Sequence, residues 1–246
     1  MGFKYFINRT SIKNKKNMKS KHFGKVTLAM AFISAMVFFQ SCNNDDDDYD
    51  YNLLYPNALV TVKANPGDTS LYLQLDSATK VIPTNVKKSP YGTKEVRALA
   101  NIKFTDQAVV NGVRSAFVNW IDTIRTKPMA ANLGTDKNPV TYGNDQLEIV
   151  NDWTTIVEDG YLTLRFRTYY GNGKTHILNL VKTDKPYEVV LYQNAQGDNY
   201  GNVKDGLIAF RLSDLPDTEG KTVNLTLKWK SFSGDKSTTF KYCTRK

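Results

Sequence analysis

The sequence has few of the side chains on which most hydrolases and metalloenzymes depend. Its 246 residues include only two histidines, His22 and His176, and two cysteines, Cys42 and Cys243. A zinc site needs several His or Cys ligands, and a Ser-His-Asp or Cys-His arrangement would have to use His176. The chain also lacks a G-x-S-x-G elbow, a phosphate-binding loop and a dinucleotide fingerprint. We therefore predict a protein without catalytic residues, metal ligands or a cofactor.

The main apolar run is too short to span a bilayer. Val26–Phe39 contains 14 uncharged residues, whereas a helix that crosses the hydrocarbon core needs about 20. A run of this length after a basic stretch is typical of a secretory signal. We assign residues 1–41 to a signal peptide and exclude them from the fold. Met18 starts a more compact leader than Met1 and is the expected initiator.

A cysteine stands where cleavage of the signal peptide is expected. In Gln40-Ser41-Cys42 a small residue directly precedes the cysteine. This resembles a bacterial lipobox, although Phe39 and Gln40 depart from its usual residues. Cys42 would become the acylated N-terminus, and acyl chains that bury ~0.8 kcal/mol per CH₂ would hold the domain on a membrane. The alternative is an ordinary signal with an incidental cysteine. Acylation leaves Cys243 unpartnered, so we expect no disulfide despite an oxidising compartment.

An acidic segment, residues 42–56, follows this cysteine. Asp45–Asp48 and Asp50 are five carboxylates within six positions, and their mutual repulsion favours a solvated tether. A calcium site is the alternative. An EF-hand loop, however, needs spaced aspartates and a closing glutamate, and neither follows here.

The net charge excludes a nucleic-acid partner. The chain carries +9 in total, but residues 1–41 hold eight basic and no acidic side chains. The remaining residues balance at 25 basic against 24 acidic side chains. Without the leader there is no basic field to attract a polyanion.

Alternation of apolar and polar residues predicts an all-β fold. Leu71–Leu75, Leu162–Phe166 and Val223–Trp229 each place apolar residues at every second position, as strands with one buried face do. The stretch 127–138 contains Pro128 and Gly134 with little periodicity. We predict a first domain at 57–126, a linker at 127–138 and a second domain at 139–246.

The step Asn172-Gly173 predicts a tight hairpin turn, because Asn and Gly accept positive φ. We expect it to join strands at Tyr161–Tyr170 and Lys174–Val181. In the second strand His176 shares a face with apolar side chains, which favours a half-buried structural histidine.

Several segments resemble one known family, and they cover nearly all of the mature chain. The segments are LVTVK at 59–63, LYLQLD at 71–76, EVRALANI at 95–102, DW at 152–153 and EDGYLTLRF at 158–166. With the lipobox, they resemble the NigD-like lipoproteins of Bacteroidetes. The resemblance implies an N-terminal OB-like β-barrel and a C-terminal β-sandwich. The family takes its name from a bacteriocin-associated locus. The acidic run after Cys42 is similar to the signal that exports such lipoproteins to the cell surface, which implies an outer-membrane location.

Binding is the function that these features favour. Candidate ligand-binding aromatics are Trp153, Tyr161, Tyr169 and Tyr170, whose rings could stack on sugars, although most aromatic side chains pack in cores. We predict a non-catalytic envelope protein, held to the membrane through the lipid on Cys42, that binds a protein or a glycan. The alternatives are a dedicated carbohydrate-binding module and a glycoside hydrolase. The hydrolase would use two carboxylates, with candidates Asp152, Glu158 and Asp159.

Overall fold

A computed structural model describes residues 9–10 and 51–245 of the chain. The proposed acylation at Cys42, the acidic run and most of the predicted signal peptide lie outside the described residues. Within the described part, no helix has the length and apolar character needed to cross a membrane.

The first domain is a closed five-stranded barrel, which confirms the predicted OB-like architecture. Its strands, with one short added strand, are β1 (Arg9–Thr10), β2 (Ala58–Ala64), β3 (Leu71–Gln74), β4 (Lys80–Pro83), β5 (Val96–Phe104) and β6 (Val113–Thr123). β2 pairs with β3 and β5, β4 pairs with β3 and β6, and the β5–β6 pairing closes the ring. β1 lies antiparallel to β6. Closure satisfies the strand edges, and Val60, Val62 and Leu73 are fully buried inside.

The end of the predicted tether is held against this barrel. Residues Tyr51–Leu54 form a 3₁₀ helix. The side-chain amide of Asn101 donates to the carbonyls of Asn52 and Tyr55 at 2.8 and 2.6 Å, and Trp120 Nε1 donates to the carbonyl of Leu53 at 2.6 Å. These contacts fix the last residues of the predicted tether on the barrel.

The second domain is a two-sheet β-sandwich, as predicted. Its elements are β7 (Arg125–Lys127), α1 (Lys137–Tyr142), β8 (Glu148–Val150), β9 (Ile156–Glu158), β10 (Tyr161–Tyr170), β11 (Ile177–Lys182), β12 (Glu188–Asn194), β13 (Asn202–Arg211), β14 (Val223–Ser231) and β15 (Gly234–Tyr242). One sheet has the order β7-β13-β10-β8, with β9 also beside β10, and the other has the order β11-β12-β14-β15. Alternate residues such as Leu162, Leu164, Leu225 and Leu227 fill the core between them.

The predicted hairpin at Asn172-Gly173 is wrong. β10 pairs with β13, whereas β11 pairs with β12, so the turn carries the chain from one sheet to the other. The cause is a long-range contact that local sequence does not reveal. The carboxylate of buried Asp198 accepts the amides of Gly171 and Asn172 at 2.6 and 2.9 Å, and these bonds hold the crossing.

The segment after the barrel belongs to the sandwich. β7 pairs in parallel with β13, Met129 is buried in the sandwich core, and Ala130 forms a bridge with Val181. The sequence-based ranges placed these residues at the end of the barrel and in the linker. A three-residue edge strand is too short to show periodicity, and its pairing depends on residues far along the chain.

Candidate functional site

An apolar contact joins the two domains. Leu59 and Ile124 of the barrel are buried against Ala209 of β13, and Leu99 and Leu207 pack around them. Because these side chains lie on the outer faces of their sheets, each domain alone would expose them to water. The contact therefore favours a fixed relative position of barrel and sandwich.

A buried arginine lies beside this cluster. Arg97 of β5 is 0% exposed and donates to the hydroxyls of Thr61 and Thr163 at 3.0 and 3.4 Å. Its Nη2 lies 3.7 Å from a carboxylate oxygen of Glu158. Burial lowers the pKa of Arg97, although the negative charges of Glu158 and Asp159 act in the opposite direction. Burial also raises the pKa of Glu158. Both groups act as structural links across the junction.

Further polar contacts close the rim of the junction, and one of the predicted ligand-binding residues belongs to them. Tyr161 is 1% exposed, donates to Glu95 at 2.5 Å and accepts from Arg211 at 3.2 Å. Arg245 also pairs with Glu95, and Lys63 pairs with Asp159 at 2.8 Å. Burial, followed by the bond to Glu95, raises the pKa of Tyr161. Its ring is therefore unavailable for stacking on a ligand.

A groove of about 1250 Å³ opens next to this junction. The barrel contributes Leu99 and 122–124. The sandwich contributes Arg125, Trp153, the loop 170–176 and residues 200–202 and 204–207. The volume exceeds that of a typical small-molecule pocket, which is about 300–1,000 Å³. The opening is thus large enough for an extended ligand.

Trp153 is presented at the groove by a fixed turn. The Asp152 carboxylate accepts the amide and the hydroxyl of Thr154 at 2.9 and 2.6 Å and pairs with Arg165 at 2.7 Å. Arg165 pairs in turn with Asp205 at 2.5 Å. The Trp153 side chain between these fixed neighbours remains 51% exposed. An exposed indole on a rigid turn is typical of a contact residue.

The carboxylates named for hydrolysis are held in ion pairs. Burial opposes ionisation of Asp152, but the bonds from Thr154 and Arg165 hold its pKa below the usual range. A glycosidase acid needs the opposite shift. Glu158 has a raised pKa, but it lies beside Arg97 at the domain junction. Among the described residues, no group of three His, Cys, Asp or Glu side chains is arranged to hold a metal ion.

The two neighbouring tyrosines have different positions. Tyr170 lines the groove, with its ring centre 5.7 Å from that of His176 and 4.8 Å from Nζ of Lys204. Tyr169 points to the other face of the strand and packs edge-on against Phe232 at 5.1 Å. The structure therefore brings together Trp153 and Tyr170 of the predicted set, and places Tyr161 and Tyr169 elsewhere.

Sequence reasoning missed four groove residues. Tyr200 lines the groove and is 58% exposed, and the cationic side chains of Arg125, Lys174 and Lys204 also line it. Nothing local distinguishes these residues from ordinary surface residues. The one local hint is a glycine in each of the two loops, Gly171 and Gly201. A Cβ on Gly201 would lie only 2.6 Å from Cα of Gly171, so the close approach of the loops requires glycine.

His176 is a buried residue, as its grouping with apolar side chains indicated, but it lies in the loop just before β11, which begins at Ile177 and not at Lys174 as predicted. Its side chain is 1% exposed, and Nε2 lies 3.7 Å from Oδ2 of Asp198. Burial lowers the pKa of His176, although the nearby carboxylate of Asp198 acts to raise it. Burial disfavours the charged Asp198, but the amides of Gly171 and Asn172 and the contact with His176 keep its pKa below its usual value.

The depressed pKa of His176 predicts a loss of stability in acid. The pKa of an unfolded histidine is about 6.5, while the folded one remains neutral to lower pH. The unfolded state then binds more protons, so the free energy of unfolding falls as pH drops below that value. Urea unfolding at about pH 7.5 and about pH 5.5 should show this fall, and His176→Gln should reduce it. An equal fall in both proteins would contradict the assignment.

Comparisons with known proteins agree with the two-domain architecture. The sequence profile of the NigD-like N-terminal OB domain matches residues 59–124, and that of the NigD-like C-terminal beta sandwich domain matches residues 130–242. None of the curated proteins compared matches the chain.

Solved structures from Parabacteroides and Bacteroides species have the same fold. A toxin-related protein from Parabacteroides distasonis is 32% identical, with a TM-score of 0.64 over 76% of this chain and 92% of that one. A protein of unknown function from Bacteroides vulgatus is 22% identical, with a TM-score of 0.58 over 76% of this chain and 90% of that one. A NigD-like immunity protein from Bacteroides caccae is 19% identical, with a TM-score of 0.54 over 77% and 98%.

Proposed function

The chain belongs to the NigD-like family, and from that premise we propose that it is a non-catalytic protein of the cell envelope that binds a partner protein in the groove beside the domain junction. A lipid on Cys42 anchors it to the outer membrane, and the acidic segment holds the folded domains away from the bilayer, on the cell surface.

The observation that carries the proposal is the groove itself. It is about 1250 Å³ in volume, lies between two domains that are fixed by buried contacts, and presents the exposed rings of Trp153 and Tyr200. Aromatic anchors on a pre-organised surface contribute most of the binding energy in many interfaces, because little side-chain entropy is lost on association.

The electrostatics of the groove favour binding over catalysis. Asp152 and Asp205 both bond to Arg165, and the buried His176 has a lowered pKa beside Asp198. General acid–base catalysis needs a reachable group whose pKa lies near the working pH. The relative described as toxin-related, at 32% identity, fits a role in which the partner is another protein.

Photo-crosslinking in living cells tests the site. We expect benzoylphenylalanine in place of Tyr200 to form a discrete adduct with a second protein, and Trp153→Ala to weaken that adduct. Val140 is 85% exposed on α1 and is not among the groove-lining residues, so it provides the matched control position. Equal adducts from both positions, or none from Tyr200, would contradict a binding role for the groove.

A glycan is the second candidate, because Trp153 offers an exposed ring of the kind on which sugars stack. The same experiment separates the two classes. A protein partner gives an adduct whose tryptic digest contains peptides of a second protein, whereas a glycan gives an adduct whose added mass contains no second polypeptide and is lost on periodate oxidation.

The anchor is tested by metabolic labelling with radioactive palmitate. We expect wild type and Cys243→Ala to take up the label and Cys42→Ala to lose it completely, because only an N-terminal cysteine after a lipobox is acylated. Cys243 is the matched control, since it is the second of the chain's two cysteines. Retention of label by Cys42→Ala would refute acylation at that residue. Digestion of the protein by protease added to intact cells would support surface display.

A further inference from the structure

One sheet of the sandwich has a strand that is only partly paired, and its open part lies at the groove. β13 spans Asn202–Arg211, but its neighbour β7 pairs only with Ile208–Phe210. Among the strands that the structure describes, none pairs with Asn202–Gly206 on that side. At about 3.3 Å per residue this open edge is roughly 17 Å long, and Asn202, Asp205 and Gly206 are among the residues that line the groove.

The register of β10 and β13 shows which backbone groups face this edge. In an antiparallel pair, alternate residues direct their N–H and C=O toward the partner strand and away from it. Arg165 of β10 donates its N–H to Thr155 Oγ1 at 3.0 Å, on the side away from β13. Even-numbered residues behave in the opposite way. The amide of Leu212, which directly follows β13, donates across the pair to the carbonyl of Gly160, which directly precedes β10, at 2.9 Å.

It follows that the odd-numbered residues of β10 and their partners in β13 face away from each other. Tyr169 is opposite Val203, and Arg167 is opposite Asp205. The N–H and C=O groups of Val203 and Asp205 therefore point to the open edge. An added strand could pair with them without disturbing the existing ladder.

We propose that this edge takes up an extended, acidic segment of the partner protein as an additional β-strand, collinear with β7. The inference rests on the proposed function, since it names how the groove holds its partner. Backbone hydrogen bonds supply affinity in such strand addition, and side-chain contacts supply specificity.

Charge selects an acidic occupant. The cationic side chains of Arg125, Lys174 and Lys204 line the sandwich side of the groove. Of the carboxylates on that side, Asp205 is bonded to both Arg165 and Arg167 at 2.5 and 2.6 Å, and Asp152 is also bonded to Arg165. An incoming carboxylate therefore meets three cations on the sandwich side, where both aspartates are already engaged by other arginines, and one further carboxylate, that of Asp122, lines the barrel side.

A second copy of the same chain fits this edge poorly. An antiparallel pairing of two identical segments about their centre would place Lys204 of one copy opposite Lys204 of the other. Like charges directly opposite one another destabilise a strand pair. Lysine on an edge strand also protects against such self-association, so this residue favours an acidic partner and disfavours a dimer.

A displayed library of random dodecapeptides, selected on the purified full-length mature protein in detergent, tests the proposal. We expect recovered peptides to be rich in Asp and Glu. Methylation of alternate peptide amides should weaken their binding by about tenfold or more, because it removes the donors that pair with the edge. Val203→Pro, which deletes one edge donor, and Lys204→Glu should each weaken binding to a similar extent. Lys221→Glu, at a side chain that is 78% exposed, is the control and should bind like wild type.

The outcomes separate this inference from the proposed function. Peptides without acidic enrichment, or binding that survives both amide methylation and Lys204→Glu, would overturn strand addition. If Val203→Pro fails to fold, as judged by circular dichroism, the methylated peptides and Lys204→Glu still test strand addition. If the adduct from position 200 persists in cells that carry Lys204→Glu and no acidic peptide is selected, the groove binds its partner in another way. Absence of both the adduct and the peptides would refute both proposals.

Discussion

Replacement of Arg97 with alanine is expected to lower the free energy of unfolding by about 3–5 kcal/mol, the range seen when one partner of a buried ion pair is removed. The guanidinium is fully buried, bonds to Thr61 in the barrel and Thr163 in the sandwich, and faces Glu158 at 3.7 Å. The variant would leave a cavity and an uncompensated carboxylate at the point where the domains meet. Urea unfolding at neutral pH measures the loss.

Two further variants make this test specific. Arg97→Met fills most of the volume without the charge, so it should recover part of the loss if the cavity contributes. Lys221→Ala removes an ion pair whose two side chains are 78% and 81% exposed, and it should cost about 0–1 kcal/mol. A loss for Arg97→Ala as small as that for Lys221→Ala would show that the junction does not depend on the buried arginine.

Replacement of Gly143 with alanine is the second large effect that we expect. Gly143 follows α1 with a φ of +88°, and an added Cβ would lie 2.6 Å from Cα of Asn194 and closer still to the carbonyl of Gln193. Both obstacles are backbone atoms of β12, so a side-chain rotation cannot relieve the contact. With a ψ of 164° Gly143 lies outside the left-handed helical region, in a conformation found almost only at glycine. This conformation costs about 1–3 kcal/mol for a residue with Cβ, and the clash adds to that.

Gly134→Ala is the matched control for this effect. Its φ is +95°, but an added Cβ would meet nothing within 4 Å. The control has a positive φ without a clash, and we expect Gly143→Ala to be less stable than Gly134→Ala by about 3 kcal/mol or more in chemical unfolding. Equal losses would mean that the loop after α1 shifts away from β12 without cost.

Much of the fold could be predicted from local pattern. The alternation in Leu162–Phe166 and Val223–Trp229 follows directly from the burial of one strand face, so strands and core were recognised. Thr163 occupies a position that alternation assigns to water, yet it is fully buried, because the barrel covers that part of the sheet. Domain contacts of this kind leave no period in the sequence.

The parts that could not be predicted depend on long-range partners. The turn at Asn172-Gly173 has hairpin chemistry, but its amide bonds to Asp198 direct the chain to the other sheet. The aromatic residues Tyr161 and Trp153 look alike in sequence, although one bonds to Glu95 at the junction and the other faces the groove. Only the relative placement of the two domains separates a structural aromatic residue from a contact residue.

Amide hydrogen exchange tests the central claim most directly, because the partner need not be identified before the measurement. Exchange would be compared between the protein in isolated outer membranes and the purified protein in detergent. The account predicts slower exchange in membranes for segments 171–176 and 200–206, with unchanged exchange at the exposed strand Gly234–Tyr242. Equal exchange of the groove segments in both preparations, or protection only at a different surface, would contradict it.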